Sequence, residues 1–305
     1  MKARRATAAA GVYEQWAAGV RPGRTPNRQA LRKWSTNMLA HCRMDIGLFL
    51  TSFMILGLGA AAGSARADWT FEVIDDVGQY PSAPALVIDA DGNPHLVYRT
   101  PAGDLRYAKR ISGAWAFQDV QSCYSGGGGD NPSLALDSQG RPHIAYFTDT
   151  PGPGGNLYYT HWTGTEWMCS MIGWMNNACP SLALTTADEP RIAWNGYGGN
   201  YGLLYAVPDG AGWSVTYVDC CYWAAGDCSL ALDGNDNPRI GWGYGNASYN
   251  FSYYWLDGGA WSWETPYSGP TLSVYTVSMA LDIADQPHAT FVQDNYLNYA
   301  RRIAG

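Results

Sequence analysis

The sequence predicts an all-β protein: a single five-bladed β-propeller in which each blade is a four-stranded antiparallel sheet. Three observations support this prediction. A unit of 48 or 49 residues recurs five times, each unit contains short segments with the alternation of β-strands, and the fifth unit lacks its fourth segment. A segment of that fourth kind precedes the first unit, so we expect it to pair with the last blade and close the ring.

The repeat is clearest at residues 133–146, which read SLALDSQGRPHIAY. The prolines of the five units, at Pro94, Pro142, Pro190, Pro238 and Pro287, are spaced by 48, 48, 48 and 49 residues. The first strand ends at an Asp in four of the units and leads into a turn, and the proline fixes φ where the second strand begins.

Aromatic residues mark the third and fourth strands. The third strand has a tyrosine in every unit, and the fourth opens with a tryptophan in four units: Tyr107, Tyr159, Tyr205, Tyr254 and Tyr299, then Trp115, Trp167, Trp213 and Trp261. Trp69 lies 46 residues before Trp115, in the segment DWTFEV over residues 68–73. We therefore expect one propeller over residues 68–305, with these rings packed between neighbouring blades.

The unit resembles the S-L-A-L-D-x-x-G-x-P-H-I-A-Y repeat of exported bacterial and archaeal propeller proteins that are loosely described as sialidase-like or BNR-like. The resemblance covers all five units and implies the propeller fold. It implies no activity, because that group shares no catalytic motif. In blade number, the chain is also similar to tachylectin-type lectins and to the catalytic domains of some arabinan- and fructan-cleaving glycosidases.

Residues 1–67 differ from the rest in charge. They carry ten Lys and Arg against two acidic residues, whereas residues 68–305 carry nine against twenty-four. Residues 46–63 are uncharged, and Ala65 and Ala67 give the A-x-A form that a signal peptidase cuts. We predict a leader over residues 1–67, cleavage near 67/68, and a secreted or periplasmic protein. The alternative is an uncleaved membrane anchor at residues 46–63.

The composition of residues 68–305 also limits the partners. Lys109 is the single lysine there, so a basic surface that tracks phosphates, and with it nucleic-acid binding, is excluded. Contact with a membrane is expected only through an uncleaved leader. Six cysteines remain after the leader, enough for three disulfides. The connectivity stays open, with Cys221 and Cys228 as the preferred local pair, and no C-x-x-C spacing indicates zinc.

Residues that recur in every unit favour a structural role over catalysis, because a catalytic centre is needed once. This applies to His95, His143 and His288, and to the aspartates that end the first strands. The turn at Asp89 partly imitates a calcium loop, but Pro94 stands where such a loop has its glycine. We predict no metal and no cofactor, with calcium at these turns as the alternative.

The loops between second and third strands, and between one unit and the next, differ between units. They are rich in glycine, with aromatic and acidic side chains that suit sugar recognition: rings cover the C–H faces of a sugar, and carboxylates bond its hydroxyls. The candidate ligand-binding residues are Tyr80, Tyr124, Asp130, Asp149, Trp174, Tyr197, Tyr222, Trp223, Tyr244, Tyr275 and Asp294.

The sequence thus favours a non-catalytic, lectin-like protein that recognises a carbohydrate or a cell-surface ligand. Turnover is the alternative, as in a propeller-type glycoside hydrolase or lyase, and a structural or protein-docking role is a further one. An enzyme would need two or three converging carboxylates. The part after the leader has four glutamates, Glu72, Glu166, Glu189 and Glu264, and none is placed as an acid or base.

Overall fold

The computed structural model describes residues 70–78, 82–121, 123, 128–148, 155–175, 180–197, 201–222, 224–245, 249–269, 276–293 and 296–303. For residues 174, 175, 197, 201, 221, 222, 224, 225 and 249 the description covers the backbone alone. The chain divides into two units, Met1–Trp69 and Thr70–Gly305. The predicted leader lies in the first unit, outside the described residues. Among the described residues, no helix is long and apolar enough to cross a membrane.

The described part of Thr70–Gly305 is all-β, with five antiparallel sheets that follow one another along the chain. Sheet one contains β1 (Ala85–Ile88), β2 (Pro94–Arg99), β3 (Leu105–Ile111) and β4 (Ala114–Asp119). Sheet two contains β5 (Asp130–Leu136), β6 (Pro142–Thr148), β7 (Gly155–Trp162) and β8 (Trp167–Met175). Sheet three contains β9 (Ser181–Leu184), β10 (Pro190–Tyr197), β11 (Tyr201–Asp209) and β12 (Gly212–Tyr222). Sheet four contains β13 (Ala224–Leu232), β14 (Pro238–Gly245), β15 (Tyr249–Asp257) and β16 (Ala260–Gly269), and sheet five contains β17 (Val277–Leu281), β18 (Pro287–Gln293) and β19 (Tyr296–Arg301). Strands pair in the order of the sequence, and every second strand begins at the repeated proline, as predicted.

The residue after the first strand holds the turn to the second strand. In sheet one, Asp89 Oδ1 accepts hydrogen bonds from the backbone N–H groups of Asp91 and Asn93 at 3.0 and 2.8 Å. The same pattern recurs at Asp137, Asp233 and Asp282, and with a hydroxyl at Thr185. These bonds satisfy two turn N–H groups at once, so the predicted role of the aspartates in the turns is confirmed.

The histidine that follows the proline connects this turn to the third strand. In sheet two, His143 Nδ1 accepts a hydrogen bond from the Tyr159 hydroxyl at 2.6 Å, and Nε2 lies 3.6 Å from Asp137 Oδ2. Sheets one and five repeat the arrangement through His95 with Tyr107 and His288 with Tyr299. Burial lowers the pKa of His143 to about 4, so its ring is neutral at pH 7.

Consecutive sheets pack face to face through contacts that repeat. The third-strand tyrosine meets the fourth-strand tryptophan of the next sheet, with ring centroids 6.1, 5.1 and 5.4 Å apart for Tyr107–Trp167, Tyr159–Trp213 and Tyr205–Trp261. A first-strand serine also accepts a hydrogen bond from a backbone N–H of the next sheet, at 3.0, 2.9 and 3.0 Å for Ser133–Leu182, Ser181–Leu230 and Ser229–Met279. The cores between the sheets thus share one geometry.

One tyrosine differs from the prediction. Tyr205 lies opposite Ala193, and the matching residue, opposite Gly241 in sheet four, is Tyr253 rather than Tyr254. Tyr254 points to the other face of its sheet, where its hydroxyl donates a hydrogen bond to Asp219. Side chains alternate between the two faces of a strand. Where two tyrosines are adjacent, the sequence alone does not show which one faces the next sheet.

Disulfides are present, as predicted. Cys123, which follows sheet one, is bonded to Cys169 in β8 of sheet two. Cys220 is also disulfide-bonded. Cys228 is a buried thiol in the core between sheets three and four, so the predicted pair of Cys221 with Cys228 is wrong. A cysteine in such a core packs as a small apolar residue.

The described N-terminal segment, residues 70–78, forms no strand and lies against sheet one. Asp75 accepts a hydrogen bond from the Tyr98 hydroxyl at 2.7 Å, and Glu72 lies 3.4 Å from the Arg110 guanidinium. Sheet five has three strands within the described residues. The pairing of the N-terminal strand with the last sheet, and with it the closed five-bladed ring, stays a prediction.

Candidate functional site

Each sheet has two ends, and the connections at one end differ from sheet to sheet more than those at the other. At the turn end, the first strand leads into the second through the repeated aspartate turn. At the loop end, the second strand ends and the third begins; the second strands end there at Arg99, Thr148, Tyr197, Gly245 and Gln293. The turn ends repeat from sheet to sheet, whereas the loop ends differ. The loop ends are therefore the candidate binding surface.

Most of the predicted ligand-binding side chains are not described. Six of the residues lie outside the described residues: Tyr80, Tyr124, Asp149, Trp223, Tyr275 and Asp294. Three more, Trp174, Tyr197 and Tyr222, have described backbone in β8, β10 and β12, at or next to the last residue of the strand. These three positions are at loop ends. Of the predicted set, side chains are described for Asp130 and Tyr244.

Asp130 forms an ion pair that joins sheets one and two at the loop end. It begins β5, and its Oδ1 lies 3.5 Å from a terminal guanidinium nitrogen of Arg99, which ends β2. Both side chains are partly exposed, at 24% for Asp130 and 30% for Arg99. A guanidinium has five N–H donors and a carboxylate accepts several hydrogen bonds, so the pair retains capacity for a ligand.

Tyr244 is buried rather than presented to solvent. Its ring is tilted against that of Trp242, with centroids 4.7 Å apart, in the core between sheets three and four. Its hydroxyl lies 3.1 Å from Ser252 Oγ on the neighbouring strand. The ring face that a sugar would cover is therefore occupied by protein.

Four buried polar atoms at the loop ends have no hydrogen-bond partner among the described residues. They are Arg99 Nε, Thr148 Oγ1, Asn156 Oδ1 and Asn195 Oδ1. Thr148 lies opposite Asn156 across β6 and β7, and Asp130 lies opposite the neighbour of Thr148, Phe147. Buried polar atoms in proteins are nearly always hydrogen-bonded. We therefore expect these atoms to form hydrogen bonds with the adjoining loops or with a ligand.

The sequence prediction missed these residues because they lie within strands, at or near a strand end, whereas it searched the loops. A signal was present. The first residues after the repeated proline are similar in all units, but the fifth residue after it is Arg99, Phe147, Asn195, Gly243 or Val292. At this position Phe147 packs in the core between sheets two and three, whereas Arg99 and Asn195 place polar groups at the loop ends.

The described carboxyl groups with a shifted pKa do not resemble the acid of a glycosidase. Those with a shifted pKa all have a lowered one: Asp75, Asp89, Asp137, Asp233 and Asp282. At Asp89 the main cause is the hydrogen bond from the backbone N–H of Asn93, which stabilises the carboxylate. A general acid in glycoside cleavage needs the opposite, a raised pKa.

Metal binding at the turns was the alternative to hydrogen bonding. The Asp89 oxygens face the amide of Asn93 at 3.1 and 3.2 Å and the ring of His95 at 3.1 Å. Nitrogen donors thus occupy the places where a calcium ion would bind. Within the described ranges, no cluster of three His, Cys, Asp or Glu side chains is placed to hold a metal ion.

A cavity of about 290 Å³ lies between sheets four and five, away from the loop ends. Its walls include Phe251 and Tyr253 of β15, Glu264 of β16, Ala300 of β19, and Arg302, which follows β19. It lies beside β19, which is the last strand of sheet five among the described residues.

No protein-family model matches the chain, and no curated protein matches it at a significant level. Solved structures are similar in fold. The BP39L lectin from Burkholderia pseudomallei is 11% identical with a TM-score of 0.53, and the match covers 73% of this chain and 67% of that one. The SapL1 lectin in complex with alpha methyl fucoside is 14% identical with a TM-score of 0.50, covering 73% and 77%.

An enzyme is similar to the same degree. The GH93 alpha-L-arabinofuranosidase of Fusarium graminearum, in complex with arabinobiose, is 12% identical with a TM-score of 0.50, covering 68% of this chain and 74% of that one. At these identities the likeness shows the fold alone, an all-β protein of propeller type. The resemblance of the repeat to sialidase-like proteins stays a prediction.

Proposed function

We propose that this protein binds a carbohydrate through the loop ends of its sheets and does not cleave it. The Arg99–Asp130 ion pair and the adjacent buried atoms Thr148 Oγ1 and Asn156 Oδ1 carry the proposal. Sugar hydroxyls both donate and accept hydrogen bonds. They match a set that combines guanidinium donors with carboxylate, hydroxyl and amide oxygens.

Two further observations support this function. The predicted loop aromatics, such as Trp174 and Tyr197, belong to the same ends of the sheets and would supply the faces on which a sugar ring stacks. Two of the similar structures are lectins, and one of them is bound to alpha methyl fucoside.

The proposal includes the form and location of the protein. The five sheets form a closed five-bladed ring over residues 68–305, so that their loop ends make one continuous surface. The protein acts outside the cytoplasm, secreted or periplasmic, after cleavage near 67/68. Sequencing the N-terminus of the exported product tests the cleavage: a start near Asp68 is expected, whereas retention of residues 46–63 would favour the anchored form.

Glycoside cleavage is the second candidate function, favoured by the likeness to the GH93 arabinofuranosidase. The lowered pKa values of the shifted carboxyl groups weigh against it, because no described group among them is suited to protonate a leaving oxygen. A structural or protein-docking role is the third candidate, and it predicts no interaction with sugars.

A glycan array probed with the purified protein separates the three candidates. Alpha methyl fucoside and arabinobiose are the first single compounds to add, and release of reducing sugar from a polysaccharide panel is measured in parallel. Binding without release supports the proposal. Release of sugar would replace it with the hydrolase function. If the protein neither binds nor releases sugar, the docking role is the candidate that remains.

A further inference from the structure

The cavity between sheets four and five lies where a tryptophan side chain packs between earlier pairs of consecutive sheets. There, a fourth-strand tryptophan packs against the third-strand tyrosine of the preceding sheet, as Trp213 does against Tyr159 at 5.1 Å. The matching tyrosine of sheet four is Tyr253, which lines the cavity. Its ring is contacted by Trp255 and by the Arg302 guanidinium, with centroid distances of 5.4 and 5.9 Å. The cavity thus marks the position of a fourth strand in sheet five.

The N-terminal segment already has the contacts of such a strand on its other side. Glu264, in the fourth strand of sheet four, lies 3.2 Å from Arg302, the residue after β19 of sheet five. Glu72 lies 3.4 Å from Arg110 of sheet one. Arg110 and Arg302 occupy the same position in the repeat, three residues after the third-strand tyrosine. Glu72 and Glu264 are likewise equivalent, each three residues after a tryptophan.

A second pair of contacts gives the same correspondence. Asp219, in the fourth strand of sheet three, accepts a hydrogen bond from the Tyr254 hydroxyl of sheet four at 2.6 Å. Asp75 accepts one from the Tyr98 hydroxyl of sheet one at 2.7 Å; the donor is in the second strand here and in the third strand of sheet four. Asp75 and Asp219 are equivalent in the repeat, each six residues after a tryptophan. Residues 72–75 therefore meet sheet one as a fourth strand meets the sheet that follows it.

The faces that would meet on closure are exposed. Tyr299 is 62% exposed, whereas its equivalents between sheets, such as Tyr107 and Tyr253, are 6% and 4% exposed. Leu86 is 58% exposed, compared with 7% for its equivalent Leu134. Ser278, the equivalent of the three serines that bond the next sheet, is exposed as well. Each end of the row of sheets thus presents the surface that the interior sheets bury.

We propose that residues 70–75 pair with β19 as the fourth strand of sheet five while they keep their contacts to sheet one. The chain's own N-terminal segment is thus the occupant of the cavity and the element that joins the last sheet to the first. The ring closes because one segment forms backbone hydrogen bonds with β19 of sheet five and side-chain contacts with sheet one. Closure removes the free edge of β19.

The register follows from sheet one, where Ala108 lies opposite Phe117 and Tyr107 opposite Gln118. The same register in sheet five places Phe71 opposite Ala300 and Glu72 opposite Tyr299. Phe71, which is 94% exposed, would then cover the cavity wall at Ala300. Glu72 would point to the other face, the one that meets Arg110. That orientation agrees with the Glu72–Arg110 distance.

A disulfide trap tests the pairing. Phe71→Cys combined with Ala300→Cys should form an intramolecular bond on mild oxidation, found by peptide mass spectrometry as a link between residues 71 and 300 in a monomer. The matched control is Phe71→Cys with Leu297→Cys, also exposed on β19 but on its opposite face, and it should not link. A link only between chains would make a second copy the occupant and overturn the proposal, as would a folded double variant without any link.

Hydrogen exchange on the unsubstituted protein gives a second, independent readout. The β19 amides should be protected like those of β15, and Glu72→Ala with Asp75→Ala should reduce that protection. Rapid exchange along β19 in the unsubstituted protein would contradict closure. Neither measurement involves a ligand. A protein that closes but binds no glycan would therefore refute the proposed function and leave this inference intact.

Discussion

The carboxylate of Asp188 accepts two hydrogen bonds from Ser138 of the preceding sheet, one from the backbone N–H at 2.8 Å and one from the hydroxyl at 2.6 Å. Asp236 binds Thr186 in the same way, and Asp285 accepts from the N–H of Gly234. An aspartate in the turn of each of these sheets thus accepts hydrogen bonds from the turn of the preceding sheet. The contacts are exposed, so each contributes modestly to stability.

We expect Asp188→Ala to lower the free energy of unfolding by about 1–2 kcal/mol, because two hydrogen bonds are lost and Asp188 has a φ of 63° that alanine tolerates less well. Asp188→Asn keeps the tolerance for this φ and should cost less. Chemical denaturation monitored by tryptophan fluorescence measures both. Equal stability of Asp188→Ala and the unsubstituted protein would show that the turns do not hold neighbouring sheets together.

His143 makes stability depend on pH. Burial lowers its pKa from 6.5 to about 4, so the unfolded chain binds more protons than the folded protein between these values. Stability should therefore fall as the pH drops from 6.5 to 4, by about 1.4 kcal/mol per pH unit at most. Burial also lowers the pKa of His95, which adds to the same trend. His143→Gln should have a shallower slope in denaturation curves across this range, and an unchanged slope would contradict the buried neutral imidazole.

The disulfide between Cys123 and Cys169 closes a loop with a sequence separation of 46. The loss of this constraint from the unfolded chain should reduce the free energy of unfolding by about 4 kcal/mol. Chemical denaturation of Cys123→Ser with Cys169→Ser measures the loss. A control with Cys228→Ala separates the effect from that of the buried thiol. A double variant as stable as the unsubstituted protein would show that the disulfide does not constrain sheets one and two.

Thr148→Val separates a role in binding from a role in folding. Thr148 is fully buried, and its hydroxyl has no partner among the described residues. Valine has nearly the same shape, so stability should be unchanged or higher, since the desolvation of the hydroxyl is removed. Glycan binding should weaken roughly tenfold if that hydroxyl bonds the ligand. Loss of stability in thermal denaturation would instead show that a loop satisfies this group.

Much of the fold could be predicted from the sequence because a feature that recurs at one position in every unit indicates the same structure in each unit. Pro94 and its equivalents located the second strands, and the Tyr107–Trp167 contact between sheets followed from the recurring aromatics. The choice between Tyr253 and Tyr254 could not be predicted, since it depends on strand register and not on composition. The pairing of Cys123 with Cys169 depends on distances between sheets, which no spacing rule provides.

The site was harder to predict than the fold. Gly155 illustrates why: a side chain there would lie 2.2 Å from the carbonyl oxygen of Thr148, so this glycine of a loop end is required by packing. A glycine-rich loop alone does not distinguish such a constraint from ligand recognition. The Arg99–Asp130 pair could not be predicted because its partners are about 30 residues apart, on two different sheets.

The central claim is that the loop ends bind carbohydrate. Its most direct test compares glycan-array binding by the unsubstituted protein, by Asp130→Asn at the loop end and by Glu189→Gln at the turn end. We predict that Asp130→Asn lowers the signal about tenfold or more, through loss of a charge-assisted hydrogen bond, and that Glu189→Gln leaves it unchanged. Equal binding by all three proteins, or binding lost only in Glu189→Gln, would contradict the account.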